Sequence, residues 1–301
     1  GVGARHGVLM KGGETLEIAG KVDAIIFDKT GTLTRGKPVV TDWIKVASDE
    51  ELQELAGSVG MSVDQALLWL VGSLERNSEH PLASAIVSYT EACLESLQSF
   101  ENFTHPTDFV AMTGCGASGT LLGNIKVAAG NRAFAERNAT PISKDIEATM
   151  QKLEEDGKTA IIVAIDGSVF AVLGLADELK EEAGPSVDYL ESKGVKVWMV
   201  TGDSKRTADA IARKLNLAPE RVISEALPAS KVEQIQRLQS MGMKVAMVGD
   251  GINDSPALAQ ADVGLSMGTG AEIATEASDM ILVSGKVSDV CTALDLSRVI
   301  F

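Results

Sequence analysis

The stretch Val22-Asp-Ala-Ile-Ile-Phe-Asp28-Lys-Thr-Gly-Thr-Leu-Thr34 changes character in one step. Residues 22–27 are almost wholly apolar, and a polar turn containing Gly31 follows at once. A short apolar run of this kind reads as a strand buried on both faces, as in a parallel sheet covered by helices. The same pattern recurs twice. Residues 195–200 run into Thr201-Gly-Asp-Ser204, and residues 244–248 run into Gly249-Asp-Gly-Ile-Asn-Asp254. Further strands are expected at 262–265 and 280–283. Helical periodicity lies between them, at 204–215 with Ala208, Ile211 and Leu215 on one face, and at 230–241 with Val232, Ile235 and Leu238. Strands alternating with helices imply right-handed crossovers and an α/β doubly wound parallel sheet.

The middle of the chain reads differently. Ser48-Asp-Glu-Glu51 has the form of a capping box opening a helix. Helical stretches follow near 62–77 and 82–97, then short Gly-punctuated segments at 107–113, 117–122 and 124–129. A helix near 142–156 and strands near 159–165 and 169–175 close the region. This reads as a mixed sheet with helices, an α+β domain inserted into the first. The expected division is 1–37 with 176–301 for the discontinuous α/β domain, and 38–175 for the insertion.

Composition narrows the function classes. The 301 residues are 45% apolar and 23% charged, with a formal net charge of −15. Binding a phosphate polymer needs an excess of Lys and Arg, so no nucleic-acid partner is expected. Cys93, Cys115 and Cys291 are isolated, which points to a reducing compartment rather than a disulfide framework. No secretory signal is seen, and no apolar run approaches the roughly 18–20 residues that span a bilayer.

In open α/β sheets, ligands bind at the carboxyl ends of the strands. Three polar turns far apart in sequence are therefore expected to converge on one site. Asp28, Asp250 and Asp254 offer the oxygen ligands that Mg2+ takes. Thr30, Thr201 and Asn253 offer neutral hydrogen bonds. Lys231, at the start of a helix, offers an ammonium near an anion. Each turn alone is weak evidence, since Asp-Gly and Gly-Asp are ordinary turn dipeptides. The joint pattern is far more specific.

Asp28-Lys-Thr-Gly-Thr-Leu-Thr34 resembles the phosphorylation loop of P-type cation-pumping ATPases. Met247-Val-Gly-Asp-Gly-Ile-Asn-Asp-Ser-Pro-Ala-Leu258 resembles their Mg2+-binding hinge motif, and Thr201-Gly-Asp203 and Pro228-Ala-Ser-Lys231 resemble two further phosphate-site motifs. The resemblance covers nearly the whole chain. It implies a haloacid-dehalogenase-like phosphorylation (P) domain carrying an inserted nucleotide-binding (N) domain. It implies that Asp28 is the nucleophile toward ATP, that Lys231, Thr201 and Asn253 stabilise the transferred phosphoryl group, and that Asp28, Thr30, Asp250 and Asp254 hold or order Mg2+. Thr30 stands where related phosphatases carry a general acid–base aspartate, so a long-lived aspartyl-phosphate is expected.

Ser78-Glu-His-Pro-Leu82 resembles the His-Pro signature of the heavy-metal subfamily. That likeness implies an adenine and ribose site at Glu75, His80, Gly114, Gly116, Gly130 and Asn131, with Cys115 where a polar residue is usual. His6 and His105 match no motif and are expected at the surface. Lys11-Gly-Gly-Glu14, Glu17 and the His-Pro signature look more like copper pumps than zinc or cadmium pumps. The first thirteen residues and Leu296-Ser-Arg-Val-Ile-Phe301 resemble stalks that continue into membrane helices. The implied setting is a segment at the cytoplasmic face of a membrane, serving transmembrane and actuator domains and a metal ion handled elsewhere in the same pump. Two other readings are compatible with the bare residues: a phosphatase acting on small phosphate esters, and a non-catalytic ATP-sensing module.

Overall fold

The computed structural model describes residues 7–97, 102–250, 254–268 and 276–300. The chain forms two compact units, one from Gly1–Gly36 with Asp177–Phe301 and the other from Lys37–Ala176.

The first unit is built on a seven-stranded sheet. Its strands are β1 (Val8–Met10), β2 (Ala24–Asp28), β9 (Lys196–Val200), β10 (Val222–Ile223), β11 (Val245–Gly249), β12 (Val263–Met267) and β13 (Met280–Leu282), in the order β1-β13-β12-β11-β2-β9-β10. All neighbours run parallel except β1, which pairs antiparallel with β13 at the edge. β2 and β11 are buried along their whole length. Alternation divides their side chains between two cores. Ile25 and Phe27 join Val197, Met199, Ala246 and Val248 on one face, while Ala24 and Ile26 join Val200, Val245 and Met247 on the other. This double burial is what the unbroken apolar runs encode.

Helices Ala183–Ser192, Lys205–Lys214, Pro228–Ser240 and Ser288–Ile300 belong to this unit. Ser204 caps the second of these by accepting from the Thr207 N–H. The short β1 and the helix Gly13–Gly20 were not foreseen from sequence, because three residues and eight residues give periodicity too little length to register.

The second unit holds a six-stranded sheet in the order β3-β8-β7-β6-β5-β4. Its strands are β3 (Val39–Lys45), β4 (Thr107–Met112), β5 (Gly116–Leu121), β6 (Ile125–Gly130), β7 (Thr159–Ile165) and β8 (Ser168–Ala176). Every pairing is antiparallel, which corrects the mixed sheet expected from sequence. For three of the five pairings the reason is connection length. β4, β5 and β6 follow one another through tight turns, as do β7 and β8 through Asp166-Gly167, and parallel pairing would need a long crossover. β3 was also missed. It is a half-exposed edge strand and lacks a clean apolar alternation.

Helices Asp49–Val59, Val63–Glu75 and Pro81–Ser96 pack on one another, and the second lies on β5 and β6. The expected capping box is present. Ser48 N–H donates to Glu51 Oε2 at 2.8 Å, and Glu51 N–H donates to Ser48 Oγ at 3.3 Å. No single helix among the described residues is long and apolar enough to cross a membrane.

Candidate active site

Asp28 is the last residue of β2, and Thr201 is the first beyond β9. The register Asp28↔Val200 sets the two side by side. Asp250 follows β11 on the other flank. The carboxylates of Asp28, Asp250 and Asp254 gather with oxygens within 4.8 Å of one another. Lys231, in the first turn of Pro228–Ser240, reaches the cluster from the helix side. Its Nζ donates to Asp28 Oδ1 at 2.8 Å and to Asp254 Oδ1 at 2.6 Å.

Two glycines make this closeness possible. Gly31 has φ +73°, and a Cβ there would overlap the Asp250 carboxylate. A Cβ on Gly249 would press on the Asp254 side chain. The glycines therefore clear room for the carboxylates themselves.

The electrostatics are unbalanced. Three carboxylates face one ammonium at the centre of the cluster. Asp28 is 7% exposed. Burial, reinforced by Asp254 and only partly opposed by Lys231, pushes its carboxyl up to about 7. Burial and the Asp254 charge push Asp250 up to about 6. Burial alone would lower Lys231, but Asp28 and Asp254 outweigh it and hold the ammonium above the ordinary lysine value. An all-oxygen donor set with excess negative charge fits a small, hard divalent cation such as Mg2+.

The surrounding loops are tied by partners remote in sequence. Lys29, itself buried, pairs with Asp203 at 2.6 Å. Thr201 Oγ1 donates to Asp203 Oδ2 at 3.0 Å and accepts from the Asp203 N–H at 3.1 Å. The loops after β2 and β9 are thereby clamped together. Thr34 Oγ1 accepts from the Gly31 N–H at 3.0 Å and donates to Asp177 Oδ2 at 2.6 Å. Lys180 was not singled out from sequence. Its Nζ donates to the carbonyls of Gly285 at 2.8 Å and Gly31 at 3.3 Å, and burial lowers its pKa against the pull of Glu182, Asp250 and Asp177. Its sequence neighbourhood, Asp-Glu-Leu-Lys180, carries no local sign of this role. Thr30 is exposed, with an extended backbone. Asn253 lies outside the described residues.

In the second unit, Glu75 closes the helix Val63–Glu75 and is 6% exposed. Burial pushes its carboxyl up to about 7. Five residues on, His80 caps Pro81–Ser96, and its Nδ1 accepts from the Leu82 N–H at 3.2 Å. That bond leaves Nε2 as the ring's N–H in the neutral form. Desolvation holds the imidazole below its usual pKa, which favours that form.

Gly114, Gly116, Gly130 and Asn131 form one cluster. Asn131 Oδ1 accepts from the Phe134 N–H at 3.1 Å, while Nδ2 donates to the Gly114 carbonyl at 2.8 Å. Gly116 and Gly130 pair across β5 and β6, and a Cβ on either would strike the neighbouring strand and Phe134. Close packing of protein on protein thus accounts for these two glycines. Gly114, with φ +72° and open space where its Cβ would be, is glycine for its backbone conformation. His105 Nδ1 donates to Oδ1 of Asn77, two residues beyond Glu75, at 2.8 Å.

Comparison with known proteins accords with this architecture. The chain is 45% identical over 299 residues to the copper-transporting ATPase HMA4 of Oryza sativa subsp. japonica, covering 99% of this chain and 29% of that protein. It thus spans about three-tenths of that relative's length. Among solved structures, it resembles the catalytic domain of the CPx-ATPase CopB-B, with a TM-score of 0.70 and 27% identity over 98% of this chain and 96% of that one. It also resembles a zinc-transporting PIB-type ATPase in its E2.Pi state, with a TM-score of 0.65 and 32% identity over 99% of this chain and 44% of that one. Residues 22–262, which include β2, β9 and β11 and the whole inserted unit, match the family model for haloacid dehalogenase-like hydrolases, and the chain belongs to that family.

Proposed function

We propose that this chain is the phosphorylation and nucleotide-binding segment of a P-type heavy-metal pump, and that Asp28 accepts the terminal phosphoryl group of ATP. The observation that carries the reading is the cluster of Asp28, Asp250, Asp254 and Lys231 at the carboxyl ends of β2 and β11. The likeness to copper-transporting ATPases over nearly the whole chain supports it.

Asp28 Oδ attacks the γ-phosphorus, the bond from that phosphorus to the β,γ-bridging oxygen breaks, and ADP leaves with the electron pair. Asp28, Asp250 and Asp254, with Thr30 in the same loop, are the residues that would hold Mg2+. When bound, the ion neutralises charge on the nucleophile and the phosphate. Lys231 sets the Asp28 carboxylate and stabilises negative charge on the phosphoryl oxygens, with Thr201 and Asn253 as neutral donors. The Lys29–Asp203 pair, with the Thr201–Asp203 bond, fixes the Thr201 loop beside Asp28. Thr30 cannot act as a base near neutral pH, so water attacks the aspartyl-phosphate slowly.

Glu75, His80, Gly114, Gly116, Gly130 and Asn131 form the adenine and ribose site in this reading, and Lys37–Ala176 is the nucleotide-binding domain. The transported ion is copper, handled by membrane segments beyond this chain. The segment works at the cytoplasmic face with the actuator and transmembrane domains of the same pump.

An acid-quenched assay with Mg2+ and terminally labelled ATP tests this. Hydroxylamine-labile label is expected on the chain and absent from Asp28→Asn. Label that survives in Asp28→Asn would refute the assignment.

A further inference from the structure

Lys180 carries a half-buried ammonium that makes no ion pair among the described residues. The charges of Glu182, Asp250 and Asp177 act on it from beyond contact. Its two acceptors are both main-chain carbonyls, Gly285 at 2.8 Å and Gly31 at 3.3 Å. Each belongs to a glycine at a left-handed bend, with φ +67° and +73° respectively. A glycine has no side chain by which packing could fix it, so these two bends depend on whatever holds their backbone.

The stretch around Lys180 is fastened on two sides. Its N–H donates to the Leu33 carbonyl at 2.9 Å, and the Arg35 N–H donates to the Glu178 carbonyl at 2.9 Å. Two residues on, Glu182 Oε1 accepts from the Val287 N–H at 3.2 Å, just before the helix Ser288–Ile300. One short stretch thus grips both the loop after β2 and the start of the last helix. Gly31 is also the residue that lies against the Asp250 carboxylate. We propose that Lys180 is a positioning residue for phosphoryl transfer, a strut that holds the Gly31 bend to the Gly285 turn and so keeps the Asp28 loop seated beside Asp250. This rests on the proposed function and adds to it a residue that touches none of the reacting atoms.

The contribution is geometric. A hydrogen bond from an ammonium is stronger than a neutral one, and here one nitrogen makes two. Loss of the strut frees Gly31 to shift, and a displacement of about 1 Å at a positioned group costs about a hundredfold in rate. Lys180→Met keeps the aliphatic stem and removes both bonds. Lys180→Arg keeps the charge and presents its donors in a planar fork that reaches two carbonyls at once. A side chain that only filled space would be replaced better by methionine than by arginine.

Rapid-quench labelling of the whole chain at saturating Mg2+ and ATP tests this, with hydrogen exchange of the same proteins in parallel, all well below their melting temperatures. Lys180→Met should slow labelling by about tenfold or more while ATP affinity stays within about twofold. Lys180→Arg should stay within about threefold of the native rate. Exchange should quicken together at residues 29–34 and 283–287 in Lys180→Met, and at neither segment in Lys180→Arg. A native labelling rate in Lys180→Met, a rate in Lys180→Arg as slow as in Lys180→Met, or quickened exchange at only one of the two segments would overturn the inference and leave Asp28 standing as the phosphoryl acceptor. No label on the native chain would overturn both.

Discussion

The Lys231 ammonium lies 2.8 Å from Oδ1 of Asp28, and the same nitrogen lies 2.6 Å from Asp254. One cation thus holds the nucleophile and its nearest repelling neighbour. Among the influences on Asp28, Lys231 is the one that favours its ionised form. Lys231→Met should push the Asp28 carboxyl further up and cut the phosphorylation rate by about a hundredfold or more, the scale of losing one preorganised donor. Rapid-quench labelling at several pH values checks it, and the optimum should move to higher pH.

Stability should depend on pH and on divalent cations together. Asp28 and Asp250 are raised to about 7 and about 6, above their values of 3.8 in an unfolded chain. The native state therefore retains protons that the unfolded state has released. By linkage, stability of the first unit falls as pH rises from about 4 towards 7, and levels off above that. Mg2+ reverses the loss by binding the ionised cluster. At about a hundred times its dissociation constant it should add about 2.7 kcal/mol, or about 5–10 °C in midpoint for a domain of this size. Thermal scans should show the larger Mg2+ effect at about pH 8 and the smaller at about pH 5.

Asn131 does two separable things. It caps a helix through Oδ1 and anchors the Gly114 turn through Nδ2. Asp accepts as well as Asn at a cap but cannot donate. Asn131→Asp should leave stability within about 0.5 kcal/mol while Asn131→Ala loses about 1 kcal/mol. Both free the Gly114 turn, so both should weaken ATP binding, by about tenfold for a lost donor at a preorganised site. Parallel melting and nucleotide titration separate the two effects.

Much of this architecture was legible because burial on both faces leaves a mark in sequence. β2, β9 and β11 announce themselves as apolar runs, and the turns after them carry Asp28, Thr201 and Asp250 to the same edge of one sheet. Lys180 and the Lys29–Asp203 pair were not legible. Each depends on a partner more than a hundred residues away, and neither leaves a local pattern. β3 was invisible for the opposite reason, since a half-exposed edge strand is constrained on too little of its surface. The packing of Gly116 and Gly130 was not legible either, since a Cβ on each would meet Phe134, a neighbour that no local pattern announces.

The inserted unit begins and ends on adjacent strands, with Val39 paired to Ala176. In the first unit, the Arg35 N–H donates to the Glu178 carbonyl at 2.9 Å, and Thr34 bridges Leu179. The two chain crossings thus sit together on each side. This bears on the order of assembly. While Lys37–Ala176 is unstructured, β2 must find β9 across a long flexible loop. Once that unit has folded, the pairing of β3 with β8 delivers Gly36 and Asp177 as near neighbours, and the remaining loop between β2 and β9 shrinks from residues 29–195 to residues 29–36 with 177–195. The difference in closure entropy is about 1.5 kcal/mol in favour of the insertion folding first. The domain that interrupts the gene therefore templates the continuity of the one it interrupts.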